Sequence, residues 1–136
     1  MKLLKSLCVA SLSTAALACA SAGGGYEISE RTAARLAEFD KTGETQSCIN
    51  TRRINTITAL DERHFLVRVG VNDYYLNKLS NSCNGADRQS NRLQYATSIA
   101  QLCSNQIVNV VDNSSGFTVG SCGLSKFEKL ERKPAE

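Results

Sequence analysis

The chain predicts a mainly β domain, a small antiparallel barrel or sandwich of about six strands with one short N-terminal helix. Three observations lead there. From Cys48 onward apolar residues recur with period two rather than 3.6, the clearest run being Phe65, Val67, Val69 and Val71. Turn-forming clusters interrupt the runs at short intervals: Asp61-Glu62-Arg63-His64, Asn72-Asp73 and Asn113-Ser114-Ser115-Gly116. A helix signature appears in one place, after Ser29.

That helix occupies the segment 29–43. Ser29 is a fitting N-cap and Glu30 suits the positive end of the helix dipole. Ala33, Leu36 and Ala37 share a face as far as about Asp40, and Gly43 supplies a stop. So little apolar area requires the helix to dock on the domain. The β domain then spans 45–131, followed by a charged tail at 132–136. Ile54, Thr56, Thr58 and Leu60 share one face of the first strand. Phe65 to Val71 forms the second, and Asn72-Asp73 reads as a two-residue hairpin loop that sets Val71 opposite Tyr74 and Val69 opposite Leu76. After a polar stretch from Ser80 to Asn91, Leu93, Tyr95 and Thr97 mark a fourth strand. Gln106 to Asp112 is the fifth, with Ile107-Val108 and Val110-Val111 buried on both faces. Phe117, Val119 and Ser121 begin the sixth. Gly120 and Gly123 read as bulges or a bend, and Phe127 and Leu130 are the last apolar anchors.

Residues 1–18 have the order of an export signal. Lys2 and Lys5 precede the apolar run Leu7 to Leu17, and small residues follow. The run is too short and too rich in Ser and Thr to span a membrane. Ala15-Ala16-Leu17-Ala18-Cys19 resembles the lipobox of bacterial lipoproteins, with Ala16 standing where Leu is usual. The resemblance implies a diacylglyceryl group and an acylated amino terminus on Cys19, with residues 19–28 as a flexible tether. Each buried methylene adds about 0.8 kcal/mol, so such chains would hold the domain to a membrane. Ala20 after the cysteine resembles the pattern sorted to the periplasmic side of the outer membrane. The alternative is ordinary cleavage after Ala18 or Ala22. Cleavage after Ala22 would release the protein into the periplasm without an anchor.

Cysteine parity bears on that choice. Of six cysteines, Cys8 leaves with the signal, and Cys48, Cys83, Cys103 and Cys122 make an even set. An unlipidated Cys19 would be an odd thiol in an oxidising compartment. The gaps of 34, 19 and 18 residues between the four are unlike the close pairs of zinc sites, so structural disulfides are expected, with no metal and no cofactor. Hairpin register places Cys48 and Cys83, and Cys103 and Cys122, too far out of step along their strands to bridge. Two connectivities remain open. The preferred one is Cys48–Cys122 with Cys83–Cys103, which clips the 84–91 loop and ties the ends together; the other is Cys48–Cys103 with Cys83–Cys122.

Charge excludes one partner class. Removing Lys2 and Lys5 from the 16 basic residues leaves 14 against 13 acidic ones, and Trp is absent, so no nucleic-acid footprint remains. His64, the single histidine, is the one candidate for a catalytic base, but no nucleophile motif accompanies it. Beside Asp61 and Glu62 it reads as part of a solvated, charged turn. Tyr75 and Tyr95 are the candidates for a ligand groove, each offering an apolar ring with a polar tip.

The four-cysteine frame, with Asp61 before an apolar strand, Tyr75 and Leu79 before Cys83-Asn84-Gly85, Leu102-Cys103 before Ile107, and Cys122-Gly123-Leu124 before Phe127, resembles a family of small bacterial envelope proteins of unknown function. The resemblance spans roughly 45–130 and implies no activity, ligand or catalytic residue. The sequence thus leads to an exported, lipid-anchored and non-enzymatic binding or structural accessory, with a membrane and an envelope protein as partners. A soluble periplasmic small-ligand binder is the alternative, and a small enzyme using His64 the more distant one.

Overall fold

The computed structural model describes residues 25–136, and in them one helix precedes ten strands. Helix α1 (Glu30–Leu36) is capped as expected, with the Ser29 side chain accepting from the Thr32 N–H at 3.2 Å. It ends well before Asp40, because Phe39 opens strand β1 (Phe39–Gln46) and buries its ring against Tyr74. Gly43 stops no helix. It sits within β1 at φ +81°, where the register against the neighbouring strand shifts between Lys41 and Thr45. Thr32, not the alanines, is the fully buried residue of α1, and its hydroxyl donates to the Leu60 carbonyl at 3.2 Å.

The remaining strands are β2 (Cys48–Asn50), β3 (Ile54–Ala59), β4 (His64–Val69), β5 (Asp73–Lys78), β6 (Asn91–Tyr95), β7 (Gln101–Cys103), β8 (Ile107–Asp112), β9 (Thr118–Gly123) and β10 (Phe127–Arg132). They form a five-stranded sheet in the order β1-β10-β5-β4-β3, a three-stranded sheet β6-β8-β9 and the pair β2-β7, all antiparallel. The mainly β class stands. The excess over about six strands comes from β1, β2, β7 and β10. Two of these have only three residues each, and β1 is exposed along most of its length, so neither shows an apolar period.

The five-stranded sheet is covered on both faces. Phe65, Val67 and Val69 of β4 pack with Phe127, Leu102, Val108, Val110 and Leu124 toward the smaller sheets. Leu66, on the opposite face, packs with Phe39, Tyr74, Leu76 and Leu130, and Leu36 of α1 closes that cluster. This is why β4 is buried at five of its six positions. Asn77, fully buried opposite Phe65 and Phe127, donates to the Ser125 carbonyl at 2.7 Å and accepts the Ser125 N–H at 2.9 Å, which ties the β9–β10 connection to the sheet.

Three register expectations are corrected. The β4–β5 loop is not Asn72-Asp73: Val69 pairs with Asp73 and Arg68 with Tyr74, leaving Gly70, Val71 and Asn72 as the turn. Gly70 takes φ +59° there, and its N–H donates to the Arg53 carbonyl at 2.8 Å. Val71 is consequently 76% exposed, and Tyr74 turns to the helix side of the sheet. In β3 a bulge at Asn55 moves Ile54 onto the face of Ile57 and Ala59, away from Thr56, Thr58 and Leu60. In the three-stranded sheet Val108, Val110 and Val111 are buried, but Ile107, Phe117 and Val119 are exposed.

The disulfides are Cys48–Cys103 and Cys83–Cys122, with Cα–Cα distances of 3.9 and 5.2 Å. The preferred Cys48–Cys122 with Cys83–Cys103 is therefore corrected to the other open connectivity. Cys48 and Cys103 are direct cross-strand partners in the short β2-β7 ladder, which has too few residues to be read from a period. Cys83 is drawn inward because the turn at 61–64 holds its loop. Cys83 N–H donates to the Glu62 carbonyl at 2.7 Å and Leu79 N–H to the Arg63 carbonyl at 2.8 Å.

Candidate functional site

A groove of about 540 Å³ runs between β3 and β6. All six residues of β3, Ile54 to Ala59, line it. A strand face contributes every second residue, so consecutive lining residues mean that the groove follows the strand's edge. β3 is the last strand of the five-stranded sheet and β6 the last of the three-stranded one. The Leu60 N–H donates to the His64 carbonyl at 2.8 Å, and the antiparallel alternation from there aims the backbone of Thr58 and Thr56 at β4. The backbone groups of Ile57 and Ala59 therefore point outward. On β6, Asn113 N–H donates to the Ser90 carbonyl at 2.9 Å, so Arg92 and Gln94 bond β8 while Leu93 and Tyr95 turn their backbone out.

The side chains around this slot are mixed. Ile54, Ile57, Leu93 and Tyr95 supply apolar wall, and Arg31 of α1, Arg88 and Arg92 bring three positive charges against one acidic group, Asp87. Arg92 donates to the Asn113 side chain at 3.0 Å, while Arg31 and Arg88 make no ion pair among the described residues. The sequence carries no signal for this cluster, since its members come from a helix, a loop and a strand. Tyr95 thus lines the groove, whereas Tyr75 of β5 borders a separate recess with Glu44, Thr45, Gln46 and Lys129. The fold does not bring the two tyrosines together.

The turn at 61–64 is not the solvated loop that its four polar residues suggest. Asp61 is 5% exposed and His64 6%. One Asp61 carboxylate oxygen accepts the N–H groups of Arg63 at 2.7 Å and His64 at 2.8 Å, and His64 Nδ1 lies 2.9 and 3.0 Å from the two oxygens. Burial acts to raise the Asp61 carboxyl, but these hydrogen bonds and the neighbouring imidazole outweigh it and hold the group below its usual range. The turn also organises its surroundings: Glu62 accepts the Gly85 N–H at 2.9 Å and Arg63 donates to Ser82 at 3.2 Å. Tyr26 lies against His64 with ring centroids 6.1 Å apart, and the Arg63 guanidinium sits 4.9 Å from the Tyr26 ring centre.

An aspartate holding a histidine is half of a nucleophilic constellation. The other half is a hydroxyl or thiol hydrogen-bonded to the imidazole, and none does so among the described residues. All four cysteines among the described residues are consumed in disulfides. What this geometry does perform is structural, satisfying the backbone of a buried turn that positions Cys83. Cys19, the expected lipidation site, lies outside the described residues. No helix among the described residues is long and apolar enough to cross a membrane.

The model of a family described as "Family of unknown function (DUF6491)" matches residues 2–135, nearly the whole chain. No curated protein and no solved structure matches the chain.

Proposed function

The chain belongs to the family of unknown function DUF6491, and from that premise we propose that it is an exported, lipid-anchored accessory of the bacterial envelope that binds a partner and performs no catalysis. The observation that carries this reading is the pair of disulfides, Cys48–Cys103 and Cys83–Cys122, which together use every cysteine beyond residue 19. Paired cysteines of this kind persist in oxidising compartments and are rare in the cytosol. A domain this small gains much of its security from such staples. The order of residues 1–18, basic then apolar then small, supports the same reading as an export signal. Cys19 is the anchor, and the periplasmic side of the outer membrane is the destination.

The non-enzymatic half of the proposal rests on the Asp61–His64 pair being committed to the turn and on the groove offering strand edges and arginines rather than a base and nucleophile. Intact-mass measurement of the protein from its native membranes, combined with palmitate labelling, tests the anchor. Label should enter the wild type, and Cys19→Ser should abolish it. A mature chain starting at Gly23 would replace the anchor with a soluble periplasmic form. A retained leader with four alkylatable thiols would refute export.

A further inference from the structure

We propose that the groove between β3 and β6 receives an extended, acidic peptide segment of a partner protein, which adds as a strand to the free edge of β3. The proposal deepens the reading of the domain as a binding module, and rests on it. Three features of the site converge. The first is the backbone. Ile57 and Ala59 turn their N–H and C=O groups into the groove, and among the described residues no backbone group pairs with them there. Open edges of this kind are normally blunted by charge, proline or a covering loop, or else used for strand addition. The residues of β3, Ile-Asn-Thr-Ile-Thr-Ala, include no proline and no charge.

The second feature is the opposite wall. The edge of β6 presents Leu93 and Tyr95 across the same slot, so the alternate side chains of an inserted strand would meet an apolar wall. The third is charge. Arg31, Arg88 and Arg92 outnumber the single Asp87, and all three arginines are exposed. The mature chain is close to neutral, with 14 basic residues against 13 acidic ones once Lys2 and Lys5 are set aside, so this local excess is not a reflection of overall charge. Guanidinium groups match carboxylates geometrically as well as electrostatically. A segment alternating apolar and acidic residues satisfies all three features at once: main-chain bonds to β3, apolar side chains against Leu93 and Tyr95, and carboxylates toward the arginines.

The test is a titration of the full, isotope-labelled protein with a synthetic peptide alternating Val and Glu, followed by amide NMR, with a Val-Lys peptide of equal length as control. The acidic peptide should shift the amides of Ile57 and Ala59 and slow their hydrogen exchange, and the basic peptide should do neither. The exposed double variant Arg88→Glu/Arg92→Glu should weaken binding by at least about tenfold. Ala59→Pro, which removes an outward N–H on an edge strand, should abolish protection at that edge. Unchanged circular dichroism would show that either variant remains folded. Equal binding of both peptides, shifts elsewhere on the surface, or no binding by the folded wild type would overturn the proposal. So would the same shifts produced by vesicles of anionic lipid, or by raising the concentration of the protein alone. Because the titration does not depend on Cys19, its failure is distinguishable from a failure of the lipid anchor.

Discussion

Gly120 of β9 lies directly against the backbone of Asn84, so close that a Cβ at position 120 would overlap the Asn84 carbonyl oxygen. The neighbouring Cys83 and Cys122 are bonded, so loop and strand are joined by a covalent link and a bare backbone contact side by side. The register of β8 and β9 also shifts here, between Val110 and Val111. Gly120→Ala must therefore displace backbone rather than the tip of a flexible side chain. We expect a loss of about 2 kcal/mol, the usual scale of overpacking, read as a lower urea midpoint. An unchanged midpoint would mean that the loop yields freely.

The two disulfides should differ in how they meet a reductant. Cys83 is fully buried and Cys122 nearly so, whereas Cys48 and Cys103 are half-buried. Under native conditions, mild reductant followed by timed alkylation should label Cys48 and Cys103 first, as peptide mass mapping would report. The bonds span 55 and 39 residues, so removing either by paired Cys→Ala substitution should cost about 4 kcal/mol on the chain-entropy account.

Asp61 should behave as the keystone of the 61–64 turn. Asp61→Ala leaves the buried His64 N–H, the part-buried Arg63 N–H and the His64 ring without their acceptor, and we expect a loss of about 3 kcal/mol in urea unfolding. Asp61→Asn keeps an acceptor and should lose less. By contrast, His64→Ala should destabilise the fold without a specific loss of partner binding at the β3 edge, a combination that a catalytic or ligand-binding histidine would not give.

Acid stability carries a separate signature at Asp112. Hydrogen bonds from the Ser114 hydroxyl and from the Ser115 N–H and hydroxyl draw its carboxyl down to about 2. The folded carboxyl is a stronger acid than the unfolded one, so as pH falls the unfolded chain takes up the proton first. This contribution is intact above the usual value of 3.8 and fades toward pH 2. Asp61, also lowered, acts with the same sign. Asp112→Asn should lower the thermal midpoint most at neutral pH, where this contribution is complete, and least near pH 2, so that the fall between pH 4 and pH 2 flattens.

The sequence by itself determined what local chemistry can encode. The period-two run of β4, the Ser29 cap and the even set of four cysteines beyond residue 19 are all legible, because each depends on near neighbours or on simple parity. Tertiary structure alone decided the rest. The Cys48–Cys103 bond follows from a three-residue ladder whose partners are 55 positions apart. The burial of Asp61 and His64 follows from a loop that returns at Cys83. Bulges at Asn55 and around Gly43 reset which side chains face the core, since a single extra residue inverts a strand's alternation. Arg31, Arg88 and Arg92 gather at one groove because a helix, a loop and an edge strand meet there. Such meetings depend on long-range closure of the chain, and no short window of residues contains them.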